Sequence, residues 1–317
     1  MARVVGSAVI SRLFATVPVL LTVAVLVFLM LRAGFGDPAA AAGGESASDA
    51  QLAAFRSQFG LDRPVWSQFA SWLGAAAAGD LGVSFYFRTP VVDLLRQRLE
   101  PTLSLAGLTL AFSVLVAVPL GVAAARSRDS LLDRALMGLA VLGFSAPSFV
   151  VGYALVYLFA IRLGWLPVQG YEPLAAGLGP WLEHLALPVL SLAPVYVAVI
   201  ARMTRASVAE TLSEDYVRTA RAKGLSSARV LLRHALPNAA APILTVIGVG
   251  LALLLGGVVV TENVFNLPGL GRLMIDAVVV GDYPVVQGVI LASAVACVAV
   301  NLAVDLAYRL FDPRVRL

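Results

Sequence analysis

Charge is scarce in this chain. Asp, Glu, Lys and Arg make up 13% of its 317 residues, about half the share of a soluble domain. That is too little to cover a water-soluble globule of this size. Lysine occurs once, at Lys223, and cysteine once, at Cys297. One cysteine excludes an intrachain disulfide and a cysteine-based metal cluster. The two histidines, His184 and His234, stand far apart and form no ligand spacing. The net charge of +4 is spread along the chain, so no basic patch points to nucleic acid. A Walker A loop ends in Gly-Lys-Ser/Thr, but Lys223 is followed by Gly224 and Leu225. Nucleophile-elbow, zincin and dinucleotide-binding signatures are absent as well. No catalytic, cofactor-binding or metal-binding residue is assigned.

What fills the chain instead is hydrocarbon. It is 60% hydrophobic, with a mean hydropathy of +0.89. Six uncharged runs stand between the charges: Leu13–Leu31, Pro101–Ala125, Ala135–Ile161, His184–Ala201, His234–Thr261 and Tyr283–Val304. About 20 helical residues cross the hydrocarbon layer. An ionised side chain at mid-membrane costs about 2.5–3.5 kcal/mol or more. The pattern predicts an all-α polytopic membrane protein with six spans. The first run exceeds a signal-peptide h-region and lacks a small-residue cleavage site, so it reads as an uncleaved span. With the N-terminus in the cytoplasm, fifteen of the 23 Lys and Arg residues fall inside and eight outside. The short loops favour this N-in, C-in orientation.

The segments between spans carry further signals. Residues 33–98 form a long outside segment. Ser48 to Gly60 is periodic, a candidate helix capped by Ser48 or Asp49. Trp66, Phe69 and Trp72 suit an interfacial belt. A second outside loop, 262–282, is rich in turn residues and flanked by Glu262 and Asp282, read as acids at the outer mouth. Pro119, Pro147, Pro188, Pro194 and Pro242 fall within runs, as hinges or tolerated kinks. Asp305 and Arg309 are spaced for an i,i+4 pair. Gly248, Ala252 and Gly256 form a small-residue stripe suited to helix packing.

The longest cytoplasmic segment, about 206–236, is helical in composition up to Lys223. Ser213 precedes Glu214 and Asp215, acids that suit a helix N-terminus. Gly224 is placed to terminate that helix. Ser226 or Ser227 can cap a second short helix through Arg233, and Pro237 suits the first turn of the next span. Small residues on one side (Ala220, Ala222, Gly224) and cations on the other would make the first helix a docking element. A solvated basic loop is the plainer alternative.

The stretch Asp215-Tyr-Val-Arg-Thr-Ala-Arg-Ala-Lys-Gly224, followed by Leu236-Pro237, resembles the EAA loop of ABC-importer permeases in its peptide-branch form. The generic pattern's Glu, first Ala and Ile fall on Arg218, Thr219 and His234. Gly36-Asp37-Pro38, Phe59-Gly-Leu-Asp-Arg-Pro64, Gly79-Asp-Leu-Gly82, Arg98-Leu-Glu-Pro-Thr-Leu103, Glu262–Gly271, Asp282-Tyr-Pro-Val-Val-Gln287 and Asp312-Pro-Arg-Val-Arg316 resemble the same branch, in order along nearly the whole chain. It comprises the "B"-type oligopeptide, dipeptide, nickel and glutathione permeases. The resemblance implies a type I ABC importer transmembrane fold. Residues 1–32 would be the cytoplasmic N-terminus and first span, 33–98 an extracytoplasmic insertion, 99–310 the transmembrane core and 311–317 a cytoplasmic tail.

It further implies that the chain is no enzyme and binds no cofactor. ATP and Mg are used by two separate ATPase subunits. A homologous second permease and an extracytoplasmic substrate-binding protein complete the system, in a bacterial or archaeal cytoplasmic (inner) membrane. The coupling contacts would involve Asp215, Tyr216, Arg218, Thr219, Ala220, Ala222, Lys223, Gly224, Leu225, Leu236 and Pro237. Di- or oligopeptides are the implied cargo, with glutathione or a nickel chelate next. An ion-coupled secondary transporter is the competing class, but it would place charged or polar coupling groups at mid-membrane, and no inverted repeat is evident.

Overall fold

The structure is a computed structural model. It describes the backbone of residues 2–34, 39 and 48–311, and the side chains of 15–34, 39, 48–131, 133–138 and 140–304. Gly36-Asp37-Pro38, Asp312–Arg316 and the side-chain pairing of Asp305 with Arg309 lie outside these residues.

Among the described residues the regular elements are helical, apart from one bridge between Val83 and Pro90. They are α1 (Ala2–Gly34), α2 (Asp49–Gln58), α3 (Val65–Ala77), α4 (Val91–Arg126), α5 (Leu131–Ser145), α6 (Ser148–Leu155), α7 (Leu178–Ser213), α8 (Asp215–Ala222), α9 (Ser227–Val230), α10 (Leu236–Gly257), α11 (Val259–Val264), α12 (Leu270–Val279) and α13 (Tyr283–Phe311). Five stretches are long and apolar enough to cross a membrane: Ala15–Gly34, Val91–Arg126, Leu178–Ser213, Ser227–Gly257 and Tyr283–Val304.

The third apolar run departs from expectation. It forms two helices meeting at 96°, Asp133–Ser145 and Ser148–Arg162, the second ending in a π-turn over Val156–Arg162. Pro147 is the cause. It excludes the preceding residue from the helical region, and Ala146 is extended at φ −86°, ψ 125°. Among the described residues the candidate spans therefore number five, or six if the bent pair is one crossing. Pro119, Pro188, Pro194 and Pro242 lie inside continuous helices.

The chain divides into two units. The first joins Met1–Thr102 to Pro268–Val298. Its core packs Val27 and Leu31 of α1 with Phe85, Val91 and Leu94, with Leu273 and Ala277 of α12, and with Val285 and Val286 of α13. Phe55, Phe59 and Phe85 form an aromatic cluster with centroids 4.6 to 5.2 Å apart. α2 starts as expected at Ser48, which shares a reciprocal capping box with Gln51. Gly288 lets α13 approach α4: a Cβ there would stand 2.5 Å from Val91.

The second unit joins Leu103–Leu267 to Ala299–Leu317. α7 is its axis, burying Leu185, Leu187, Val189 and Leu192 against Leu105, Leu254, Val258 and Leu267. Gly121 of α4 meets α7 so closely that a Cβ would stand 2.6 Å from the Ala201 carbonyl and Thr204. Gly248 of the small-residue stripe packs likewise on Val304, 2.4 Å from an added Cβ.

Candidate functional site

The site is built on the far end of α7. With 36 residues this helix is about 54 Å long, against a hydrocarbon layer of roughly 30 Å. The charged stretch from Arg202 onward is thus a continuation of the span, not a loose loop. Glu214 then leaves the helical region (φ −68°, ψ 148°) and α8 begins. Ser213 does not cap it. Its hydroxyl donates to the Glu210 carbonyl at 2.6 Å, and Glu214 occupies the cap position without a side-chain bond.

Gly224 closes α8 at φ +79°. The Gly224 N–H donates to Arg221 O (2.9 Å) and the Leu225 N–H to Ala220 O (3.3 Å). These are the paired bonds of a Schellman close, which needs a left-handed residue. Nothing lies within 4 Å of a Cβ at this position, so torsion rather than space selects glycine.

α8 folds back on its own chain. Val217, Ala220 and Val230 are buried together, with Leu212 and Leu225 against them. This corrects the expected small-residue docking face. Ala220 shares the inner face of the helix with Val217, three residues earlier, and only Ala222 and Gly224 of that trio are exposed. The outward surface presents Asp215, Tyr216, Arg218, Thr219, Arg221, Ala222, Lys223 and Gly224. Arg218 pairs with Asp215 at 3.5 Å, both side chains largely in water, a contact worth about 0–1 kcal/mol. The Thr219 hydroxyl donates to Asp215 O at 3.0 Å.

Tyr216 ties α8 to the following span. Its hydroxyl donates to the His234 carbonyl (3.4 Å), which also accepts from Asn238 Nδ2 (2.6 Å). Desolvation pushes the Tyr216 phenol up from its ordinary value, so it remains a donor at neutral pH. The second short helix does not stop at Arg233 as expected. α9 passes through a π-turn, Leu231–Ala235, straight into α10. Leu236 is half-buried and Pro237 exposed. Proline lacks an N–H and its ring crowds the preceding carbonyls, which widens the turn before it.

An ion pair that sequence reasoning missed braces the base of the site. Asp133, on the first turn of α5, accepts from Arg205 Nε at 2.5 Å and Nη2 at 2.6 Å. The Asp133 side chain is 3% exposed and that of Arg205 28%. The Ser130 hydroxyl accepts from the Asp133 N–H (3.2 Å), and Asp133 accepts from the Asp129 N–H (3.0 Å). The Ser130-x-x-Asp133 spacing was a readable capping signal; the partner on α7, 72 residues away, left no local trace.

The two acids expected at the outer mouth are both fully buried, which corrects their reading as loop acids open to the exterior. Within the first unit, Asp282 accepts from the Ser84 hydroxyl and from the N–H groups of Phe85 (3.1 Å) and Tyr86 (3.2 Å). A buried carboxylate requires such donors. Within the second unit, Glu262 lies in α11 beside buried Thr261. Among the described residues no cluster of His, Cys, Asp and Glu could hold a metal ion.

Comparison with known proteins identifies the assembly of these parts. Residues 117–317 match the family described as binding-protein-dependent transport system inner membrane component, and residues 7–106 match its N-terminal region. The chain belongs to this family. Residues 206–236 lie wholly within the first match. A probable peptide ABC transporter permease protein of Sinorhizobium fredii is 48% identical over 311 residues, covering 98% of this chain and 99% of that protein. The glutathione transport system permease protein of Escherichia coli K12 is 42% identical over 308 residues, covering 97% and 98%. A chain of the inward-facing MetNI methionine ABC transporter shares the fold, with a TM-score of 0.59 at 17% identity over 70% of this chain and 97% of that one. This permease is thus a multi-pass, all-helical transport subunit.

Proposed function

We propose that this permease forms, with a homologous second permease, the pathway by which di- or oligopeptides enter the cell. Two ATPase subunits drive the movement with ATP and Mg, and an extracytoplasmic binding protein delivers the cargo. The names of its full-length relatives support peptides first, with glutathione as the second reading. A nickel chelate remains the third cargo implied by sequence resemblance.

The observation that carries the coupling role is the mounting of α8. One end is the end of α7, braced by Asp133–Arg205. The other runs through the π-turn into α10. A force on the exposed face of α8 therefore acts on two spans at once. Asp215, Tyr216, Arg218, Thr219, Ala222, Lys223 and Gly224 meet the ATPase, while Ala220, Leu225, Leu236 and Pro237 shape the segment. The chain crosses a bacterial or archaeal cytoplasmic membrane six times, N-in and C-in, with α5 and α6 making one bent crossing. Residues 33–98 lie outside, 99–310 form the core and 311–317 the inner tail.

Proteoliposomes holding both permeases and both ATPases test this reading. Peptide-loaded binding protein outside should stimulate ATP hydrolysis and peptide uptake. Gly224→Pro should abolish both while the permease stays inserted. Uptake by the permease alone without nucleotide, or normal coupling in the proline variant, would sink it.

A further inference from the structure

We infer that the first unit holds a binding site for the phosphate of an anionic phospholipid headgroup. A cavity of about 290 Å³ opens beside the end of α1 and is framed by α3, the 59–63 turn and the start of α13. Its polar lining is rich in donors. Arg32 lies in the last turn of α1, with its guanidinium 3.7 Å from the Phe28 ring centroid, and donates to Gln68 Oε1. Gln68 is spent elsewhere, its Nε2 donating to Leu61 O (3.0 Å) and Arg63 O (2.7 Å). Arg63 reaches the same cavity and has no carboxylate partner among the described residues.

One buried amide on the cavity wall awaits a partner. Gln287 is 6% exposed, lines the cavity and has no partner among the described residues. A buried donor left unpaired is costly, and two guanidiniums lining the same cavity select an oxyanion. The one carboxylate in the lining, Asp80, already accepts from the Gly82 N–H at 2.8 Å.

Depth decides the source of that oxyanion. Arg32 stands two residues from the end of the apolar stretch Ala15–Gly34, where headgroups lie. Trp66 on the neighbouring α3 is 75% exposed, and Leu26, Leu29 and Met30 present apolar surface along α1. A headgroup in the cavity would leave its acyl chains along that surface, and tryptophan favours this level.

The test is native mass spectrometry of the assembled transporter titrated with phosphatidylglycerol, phosphatidylethanolamine or free glycerol 3-phosphate. Phosphatidylglycerol should bind in preference to the other two. Arg32→Gln and Arg63→Gln should each weaken it about fivefold, and Gln287→Leu should weaken it in the same direction. Arg63 is exposed, so its variant reports even if Arg32→Gln fails to fold. Unchanged phosphatidylglycerol binding in Arg63→Gln would overturn the assignment. So would glycerol 3-phosphate binding as tightly as the lipid, which would place a solution anion in the cavity. Neither outcome bears on the cargo.

Discussion

Gly224 shows how one torsion can serve a whole machine. Its left-handed backbone turns α8 toward α9 and lets Val217 and Ala220 find Val230. Asn tolerates this region and β-branched residues do not. Gly224→Asn should therefore keep peptide-stimulated ATPase near the wild-type level. Gly224→Val should lose about 1–2 kcal/mol of local stability and most of the stimulation, as read by ATPase assay on the reconstituted complex. The outward cations make a separate prediction. Arg221→Glu with Lys223→Glu should leave the fold intact, because both side chains are exposed, and should weaken co-purification of the ATPase subunits. Asp133 acts differently, by fixing α5 to α7. Asp133→Asn breaks a charge-assisted pair and should cost about 2–3 kcal/mol, measured as a lowered unfolding temperature in detergent. Asp282→Ala would strand the Ser84 hydroxyl and two backbone N–H groups and should cost at least about 2 kcal/mol by the same measurement.

At the scale of elements, uncharged length picked out the five long apolar helices, because insertion into hydrocarbon is decided by composition. Caps were legible where the signal is local, as with Ser48 and Gln51 or the terminating Gly224. Pro18, Pro119, Pro188, Pro194 and Pro242 leave their helices unbroken while Pro147 turns the chain by 96°. Proline's effect depends on whether neighbouring helices re-satisfy the freed carbonyls, which a single sequence does not encode. The continuation of α7 to Ser213 was hidden for a related reason: charged residues end a hydrophobic run without ending a helix. The burial of Ala220, Glu262 and Asp282 was hidden because it arises only once the chain has folded. Asp282 shows this best, since a carboxylate between turn residues reads as solvated until Ser84–Tyr86 wrap around it.

For the whole molecule, the proposed orientation places α8 inside the cell. A Cys297→Ser background carrying Ala222→Cys should react with an impermeant maleimide only after the cell membrane is opened; labelling of intact cells would reverse the topology. The π-turn at Leu231–Ala235 adds a consequence of its own. It carries one residue more than a regular ladder would hold between α9 and α10. Deleting that residue would let the ladder close with α8 near its present phase, whereas deleting one from the first regular turn of α10 would rotate α8 by about 100° around the axis of that span. The second deletion changes phase, not length: the permease would insert and melt much as before, yet offer its motor the wrong side of the rod.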